Sequence, residues 1–147
     1  MLTVLEAAEL LRRFDHVLIL THVRPDGDTV GCAAALCGAL RQIGKTAYVL
    51  ANPELTATCA DYVTSYHAQE NYIPQCIVST DVASLGLLPE NAAPYRKHID
   101  LAIDHHPSYE GFAKAACLQS DKAAAGEIVY ALVCGLGVMT PPIATDL

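Results

Sequence analysis

From Val4 the apolar positions Val4, Ala7, Ala8 and Leu11 recur at helical spacing to about Arg13, behind a Thr3/Glu6 pair spaced as a capping box. His16 to Leu20, with VLIL at its heart, is a short unbroken apolar run, the pattern of a strand buried on both faces. A polar loop from Thr21 to Gly27 follows, then an Ala- and Leu-rich stretch from about Thr29 to Ile43 that reads as helix and stops at Gly44. Ala47 to Ala51, Cys76 to Ser79, Ile99 to Ile103 and Ala115 to Leu118 are further strand candidates. Pro53 to Pro74 has no clean period and is assigned one irregular helix. Ala123 to Leu136 is a helix closed by Gly137, and Thr140-Pro141 has the form of an N-cap with proline at the first helical position.

Strands that are apolar throughout, alternating with helices, imply a parallel sheet covered on both sides. The expected fold is α/β and doubly wound: a Rossmann-like, mostly parallel five-stranded sheet with helices on both faces. The 147 residues have room for one domain with a substantial core. Hydrophobic residues at 52% and charged residues at 17% fit a compact globular chain. Nine basic against sixteen acidic residues leave a net charge of −7, which argues against coating duplex DNA. None of the six cysteines forms Cys-x-x-Cys, and several lie inside apolar runs as small hydrophobes. No basic stretch precedes an apolar run at the N-terminus, and no apolar run approaches the roughly 20 residues of a membrane span. A soluble, cytoplasmic protein without membrane contact is the default expectation. The sequence stops about two turns into the helix opened by Thr140-Pro141, so residues 1–147 are expected to form a domain incomplete at its C-terminus.

The polar residues cluster after the strands. His22, Asp26 and Asp28 follow the first, Asp81 the third, and Asp104, His105 and His106 the fourth. In an open parallel sheet the carboxyl ends of the strands share one edge, where ligands bind. Four Asp and three His thus converge on one rim. Without cations these carboxylates would repel and some would stay protonated, a cost that divalent metals remove. Carboxylates and imidazoles without thiolate suit Mn²⁺, and less well Fe²⁺, Co²⁺ or Zn²⁺. The number of candidate ligands suits two ions about 3.5–4 Å apart sharing a carboxylate, the arrangement that clamps a phosphoryl group.

Each piece has a plainer explanation. Pro25-Asp26-Gly27 is a good turn by itself. Asp81 could cap a helix, and Glu127 belongs in a helix's first turn. His16, His67 and His98 are taken as ordinary histidines. Asp26-Gly-Asp28-Thr29-Val30 also fits the D-x-D-x-T/V pattern of haloacid-dehalogenase-like phosphatases, in which the first Asp is a covalent nucleophile. That pattern needs the Asp directly after its strand, whereas Asp26 lies six positions past Leu20 with Pro25 between, and Asp104-His105-His106 would be idle. A non-catalytic nucleotide-binding module is a third reading.

The same residues carry a resemblance. His22-Val-Arg-Pro-Asp26-Gly-Asp28-Thr-Val-Gly31 resembles the first motif of the DHH phosphoesterase superfamily, and Ile103-Asp104-His105-His106-Pro107-Ser108 is similar to the motif that names it. Asp81 falls where the second motif belongs, and Ala123 to Tyr130 resembles the helix that follows. Within that superfamily the chain resembles the nanoRNase-type proteins, bifunctional oligoribonucleases and 3′-phosphoadenosine 5′-phosphate phosphatases; other members cleave cyclic dinucleotides. The resemblance implies two Mn²⁺ ions, with Mg²⁺ or Co²⁺ as substitutes, held by His22, Asp26, Asp28, Asp81 and His105. It makes His106 a contact to the scissile phosphate and Asp104 the residue that orients it. It also implies a short single-stranded oligonucleotide or nucleotide substrate, and leaves homodimerisation open. Cys32 stands where Ser usually follows the glycine, and Tyr109 where Asn often follows Pro-Ser. A last Asp ligand and a second, substrate-gripping domain are expected beyond residue 147, so residues 1–147 alone should turn over slowly or not at all.

Overall fold

In the computed structural model, which describes residues Met1–Leu147, the apolar runs become five strands: β1 Val17–Leu20, β2 Ala47–Val49, β3 Cys76–Thr80, β4 Leu101–Asp104 and β5 Ala115–Leu118. All neighbours pair in parallel, in the order β2-β1-β3-β4-β5. Every residue of β1, β3 and β4 is buried, which is why these segments are apolar without alternation up to the buried polar residues Ser79, Thr80 and Asp104 at their carboxyl ends. The helices are α1 Val4–Arg13, α2 Gly27–Gln42, α3 Ala57–Val63, α4 Ala125–Leu136 and α5 Pro141–Asp146.

Local sequence explains most element ends. Thr3 and Glu6 close a reciprocal capping box on α1, with both hydrogen bonds present. Gly44 (φ 80°) and Gly137 (φ 78°) take the left-handed conformation that ends α2 and α4. Two boundaries moved for a physical reason. Helix α2 begins two residues earlier than expected because Asp26 is its N-cap, accepting from the Asp28 and Thr29 amides. Helix α4 begins two residues later, since its first amides are capped by a distant side chain, Asp28. The irregular 53–74 stretch holds α3 and one 3-10 turn, Thr64–Tyr66.

Both faces of the sheet are covered, but unequally. Val17, Ile19, Cys76, Val78, Leu101 and Ile103 point into the main core with residues of α1, α2, α4 and α5. Leu18, Leu20 and Ile77 on the other face pack against Val82, Leu88, Ala92 and Ile99, a cover of loops and the 3-10 turns Leu85–Leu87 and Glu90–Tyr95. Helix α2 is buried nearly all round, from Thr29 to Leu40, between the sheet and α3, α4 and α5. It therefore carries small residues, and a Cβ placed on Gly31 would overlap the Asp146 carbonyl of α5. Strand order reverses between β1 and β3, so their carboxyl ends frame the crevice that such a topology leaves open.

Candidate metal centre

β1, β3 and β4 are adjacent, so the segments leaving their carboxyl ends deliver side chains to one place. His22 follows β1, Asp81 follows β3, and Asp104, the last residue of β4, leads into His105 and His106. Asp81 has φ 58°, a left-handed conformation that strains a non-glycine residue by about 1–3 kcal/mol. Its amide still donates to Ile103 O at 2.9 Å, so the chain turns sharply without leaving the ladder. The Asp81 side chain is 4% exposed as a residue and lies in the middle of the group.

His22 Nε2 is 3.7 Å from Asp81 Oδ2 and 3.6 Å from Asp26 Oδ1; His105 Nε2 is 3.6 Å and His106 Nδ1 3.5 Å from Asp81 Oδ1. These separations exceed hydrogen-bond length. They are close to, and slightly wider than, the roughly 3.0–3.5 Å between atoms bound to one ion at about 2.1 Å. Two sets of potential ligands result, His22–Asp26–Asp81 and Asp81–His105–His106, with Asp81 in both.

The donor chemistry fits a cation. Asp81 Oδ1 is buried with no hydrogen-bond partner, a deficit of the kind that calls for an explanation. His22 directs Nδ1 to Val23 O at 2.7 Å and His105 directs Nδ1 to Lys122 O at 3.1 Å. With Nδ1–H donating to a carbonyl, each ring turns the lone pair of Nε2 toward the carboxylates, the orientation used by metal-ligating histidines. His106 differs. Asp104, 1% exposed, accepts from the His105 and His106 amides at 2.7 and 3.1 Å and from His106 Nδ1 at 2.8 Å. Asp104 thus holds both histidines in place, and His106 Nε2, on a partly exposed ring, has no hydrogen-bond partner in the protein.

Electrostatics follow the same geometry. Burial, reinforced by the charge of Asp28, pushes the Asp81 carboxyl up to about 6, although His106 and His22 pull the other way. Burial opposes charge on the His106 ring, but the Asp104 hydrogen bond and the charges of Asp104 and Asp81 outweigh it and raise its pKa. A carboxylate held reluctantly ionised by its surroundings gains most from a nearby cation.

Asp28 sits apart from both sets. Its Oδ2 accepts from Ala125 N at 2.8 Å and its Oδ1 from Gly126 N at 2.9 Å, at the N-terminus of α4. Cys32 Sγ lies 3.5 Å from the same Oδ1. Asp26 serves as the α2 N-cap while facing His22, so its turn role and its place in the cluster coexist. His16, His67 and His98 lie outside the cluster.

Three supporting residues had not been singled out in the sequence. Asn52, just past β2, donates to His22 O at 2.8 Å and to Thr21 Oγ1 at 3.0 Å. Thr29 Oγ1 donates to Thr80 O at 2.8 Å, tying α2 to the end of β3. The signal was available for Asn52, another polar residue directly after a strand; the Thr29–Thr80 pair is a tertiary contact without one. A cleft of about 420 Å³ opens over the cluster, lined by His22, Val23, Arg24, Asp26, Asp81, Leu87 and His106.

Comparison with known proteins agrees with this fold. Residues 16–145 match the model of the DHH family, N-terminal domain. The chain is 31% identical over 144 residues to the bifunctional oligoribonuclease and PAP phosphatase NrnA of Thermus thermophilus, covering 95% of this chain and 44% of that protein. It therefore spans less than half the length of that curated relative. Among solved structures, an exopolyphosphatase-related protein from Bacteroides fragilis superposes with a TM-score of 0.70 at 21% identity, over 91% of this chain and 43% of the other. Exonuclease RecJ bound to manganese gives 0.56 at 14% identity, over 99% and 42%. With the family model covering most of its length, the chain belongs to the DHH family, whose N-terminal domain it carries.

Proposed function

We propose that this chain is the metal-binding half of a manganese-dependent phosphoesterase acting on short oligonucleotides, adenosine 3′,5′-bisphosphate or both. The observation that carries this reading is the pair of ligand sets meeting at one buried, hydrogen-bond-deficient carboxylate, Asp81. Asp81 would bridge two ions, with His22 and Asp26 on one side and His105 on the other. Asp28 would join the second side by turning one carboxylate lone pair from the α4 amides. The relative named as an oligoribonuclease and PAP phosphatase supplies the substrate class.

When bound, two divalent ions would lower the pKa of water and neutralise phosphoryl charge. The protein's own residues do the rest. His22 and His105 present Nε2 with their tautomers fixed by Val23 O and Lys122 O. His106, kept protonated toward neutral pH by Asp104, donates from Nε2 to a phosphoryl oxygen as charge develops there. The 420 Å³ cleft admits a nucleotide-sized group over this row. A covalent aspartyl route has less support, because Asp26 Oδ1 is engaged as the α2 cap.

The test is hydrolysis of two- to four-nucleotide RNAs and of adenosine 3′,5′-bisphosphate in Mn²⁺ by the protein extended through the expected second domain, with residues 1–147, expected to turn over slowly or not at all, assayed alongside. In the extended protein, activity is expected that Asp81→Asn abolishes and that chelation also abolishes until Mn²⁺ is added back. Turnover that persists in Asp81→Asn, or none with Mn²⁺, Mg²⁺ or Co²⁺, would remove the reading.

A further inference from the structure

Arg24 is the one permanently charged cation lining the cleft, whose other polar walls are carboxylates and imidazoles. Its guanidinium forms no ion pair with any carboxylate, although Asp26 and Asp81 line the same space. The backbone beneath it is unusual. Arg24 has φ 48°, left-handed and directly before Pro25, where an extended conformation is the norm. Neighbouring hydrogen bonds enforce this: Val23 N donates to Leu87 O at 2.7 Å, Asn52 Nδ2 to His22 O at 2.8 Å, and His22 Nδ1 reaches Val23 O at 2.7 Å. Pro25 itself is buried. An exposed arginine is thus held in a strained conformation by contacts that fix its position at the cleft rim, a pattern that gathers at functional sites.

We propose that Arg24 forms a second phosphate subsite, gripping a phosphate of the substrate other than the one cleaved. This deepens the phosphoesterase reading and rests on it. The scissile group belongs at the floor, where Asp81 is buried and His106 already supplies a donor, whereas Arg24 is exposed at the rim. A planar guanidinium fork matches phosphate and stays charged at any physiological pH. Leu87, 39% exposed, lines the same cleft and offers apolar surface to a sugar or base beside that phosphate. The substrate class that satisfies both places is a nucleotide bearing at least two phosphates, as a bisphosphate or as a short strand with a terminal phosphate. A nucleoside carrying only the scissile group would leave Arg24 idle.

The experiment measures equilibrium binding of adenosine 3′,5′-bisphosphate and of adenosine 3′-monophosphate, with Ca²⁺ replacing Mn²⁺ to hold turnover down. The wild-type protein should prefer the bisphosphate. Arg24→Ala should weaken bisphosphate binding about 10- to 100-fold, with under about threefold change for the monophosphate, and Arg24→Lys should fall between. Arg24→Gly should lose the same affinity while melting no lower than wild type, because glycine accepts the left-handed backbone. A merely structural role predicts the opposite order for that variant. A terminally phosphorylated dinucleotide and its dephosphorylated counterpart, measured alongside, show which source of second phosphate gains more from Arg24. Equal losses on both adenosine ligands, no loss on either, or a wild type that binds neither or does not distinguish them would overturn the subsite. Failure of the phosphoesterase reading would show separately, as absence of hydrolysis in Mn²⁺ by the protein extended through the expected second domain.

Discussion

Asp81 alone in the cluster combines a left-handed backbone, near-complete burial and an oxygen without a hydrogen-bond partner; Asp104 shares the burial and an unpartnered oxygen but not the backbone. If it bridges two ions, Asp81→Ala should remove both together, while His22→Ala should spare one. Metal counting on the two variants decides this, and equal, independent losses would contradict the assignment. The same residue makes a pH prediction. Asp81, raised to about 6, and His106, also raised, each bind a proton more tightly folded than unfolded. The Asp81 contribution to stability is fully present below about pH 4 and lost as pH rises through about 6; that of His106 is present below about 6.5 and lost above its raised value. Metal-free protein should therefore lose melting temperature between pH 5 and pH 8 from these two groups, and Mn²⁺ should restore it at pH 8. A melting profile in chelator that rises over that range in wild type and is unchanged in Asp81→Asn would count against this coupling.

At the scale of elements, helix ends and helix contacts decide what the site can do. The α4 N-terminus holds Asp28 through the Ala125 and Gly126 amides, and a Cβ on Gly126 would stand 3.3 Å from Asp28 Oδ1. Gly126→Val should crowd that carboxylate and weaken one of two metal-binding events by about tenfold, with the other little changed; calorimetric titration with Mn²⁺ reads this directly. Uniform weakening of both would mean that the helix end supports the fold, not Asp28. Gly31 tests the packing of α2 on α5. Since a Cβ there overlaps the Asp146 carbonyl, Gly31→Ala should destabilise by about 1–3 kcal/mol in urea unfolding, despite alanine's better helix propensity.

Across the molecule, the cluster draws on three separate segments, around residues 22–28, 81 and 104–106, carried on three neighbouring strands. Ions that bind there bind only the folded state. Mn²⁺ at about 100 times its dissociation constant should add about 2.7 kcal/mol of stability per site, and chelation should remove it. Thermal melting against metal concentration checks the size of the effect, and no shift at all would argue against a preformed site. The chain has no helix long and apolar enough to cross a membrane. Its acidic surface and its metal cluster are consistent with one design, in which cations, not a basic surface, would meet the substrate's charge.

Much of this was legible before the fold was known, for reasons that are local. Fully buried strands have to be apolar throughout, so β1, β3 and β4 announced themselves, and the polar residues that end them marked one edge of a parallel sheet. The α1 capping box and the glycines at 44 and 137 are likewise set by neighbours within a few residues. Long-range contacts fixed the remainder. Asp28 caps a helix nearly a hundred residues away and Thr29 pairs with Thr80, neither of which leaves a period or spacing in the sequence. Strand–helix alternation implies helices on both faces, and loops with short 3-10 turns cover the second, where Val82, Leu88 and Ala92 pack on Leu18, Leu20 and Ile77. Sequence alone therefore determined that His22, Asp26, Asp81, His105 and His106 meet at the rim, since strand burial and strand ends are local properties, whereas Asp28 turns to the α4 amides. Only the tertiary structure decided how each is oriented, because orientation depends on hydrogen bonds to partners that the chain brings together last.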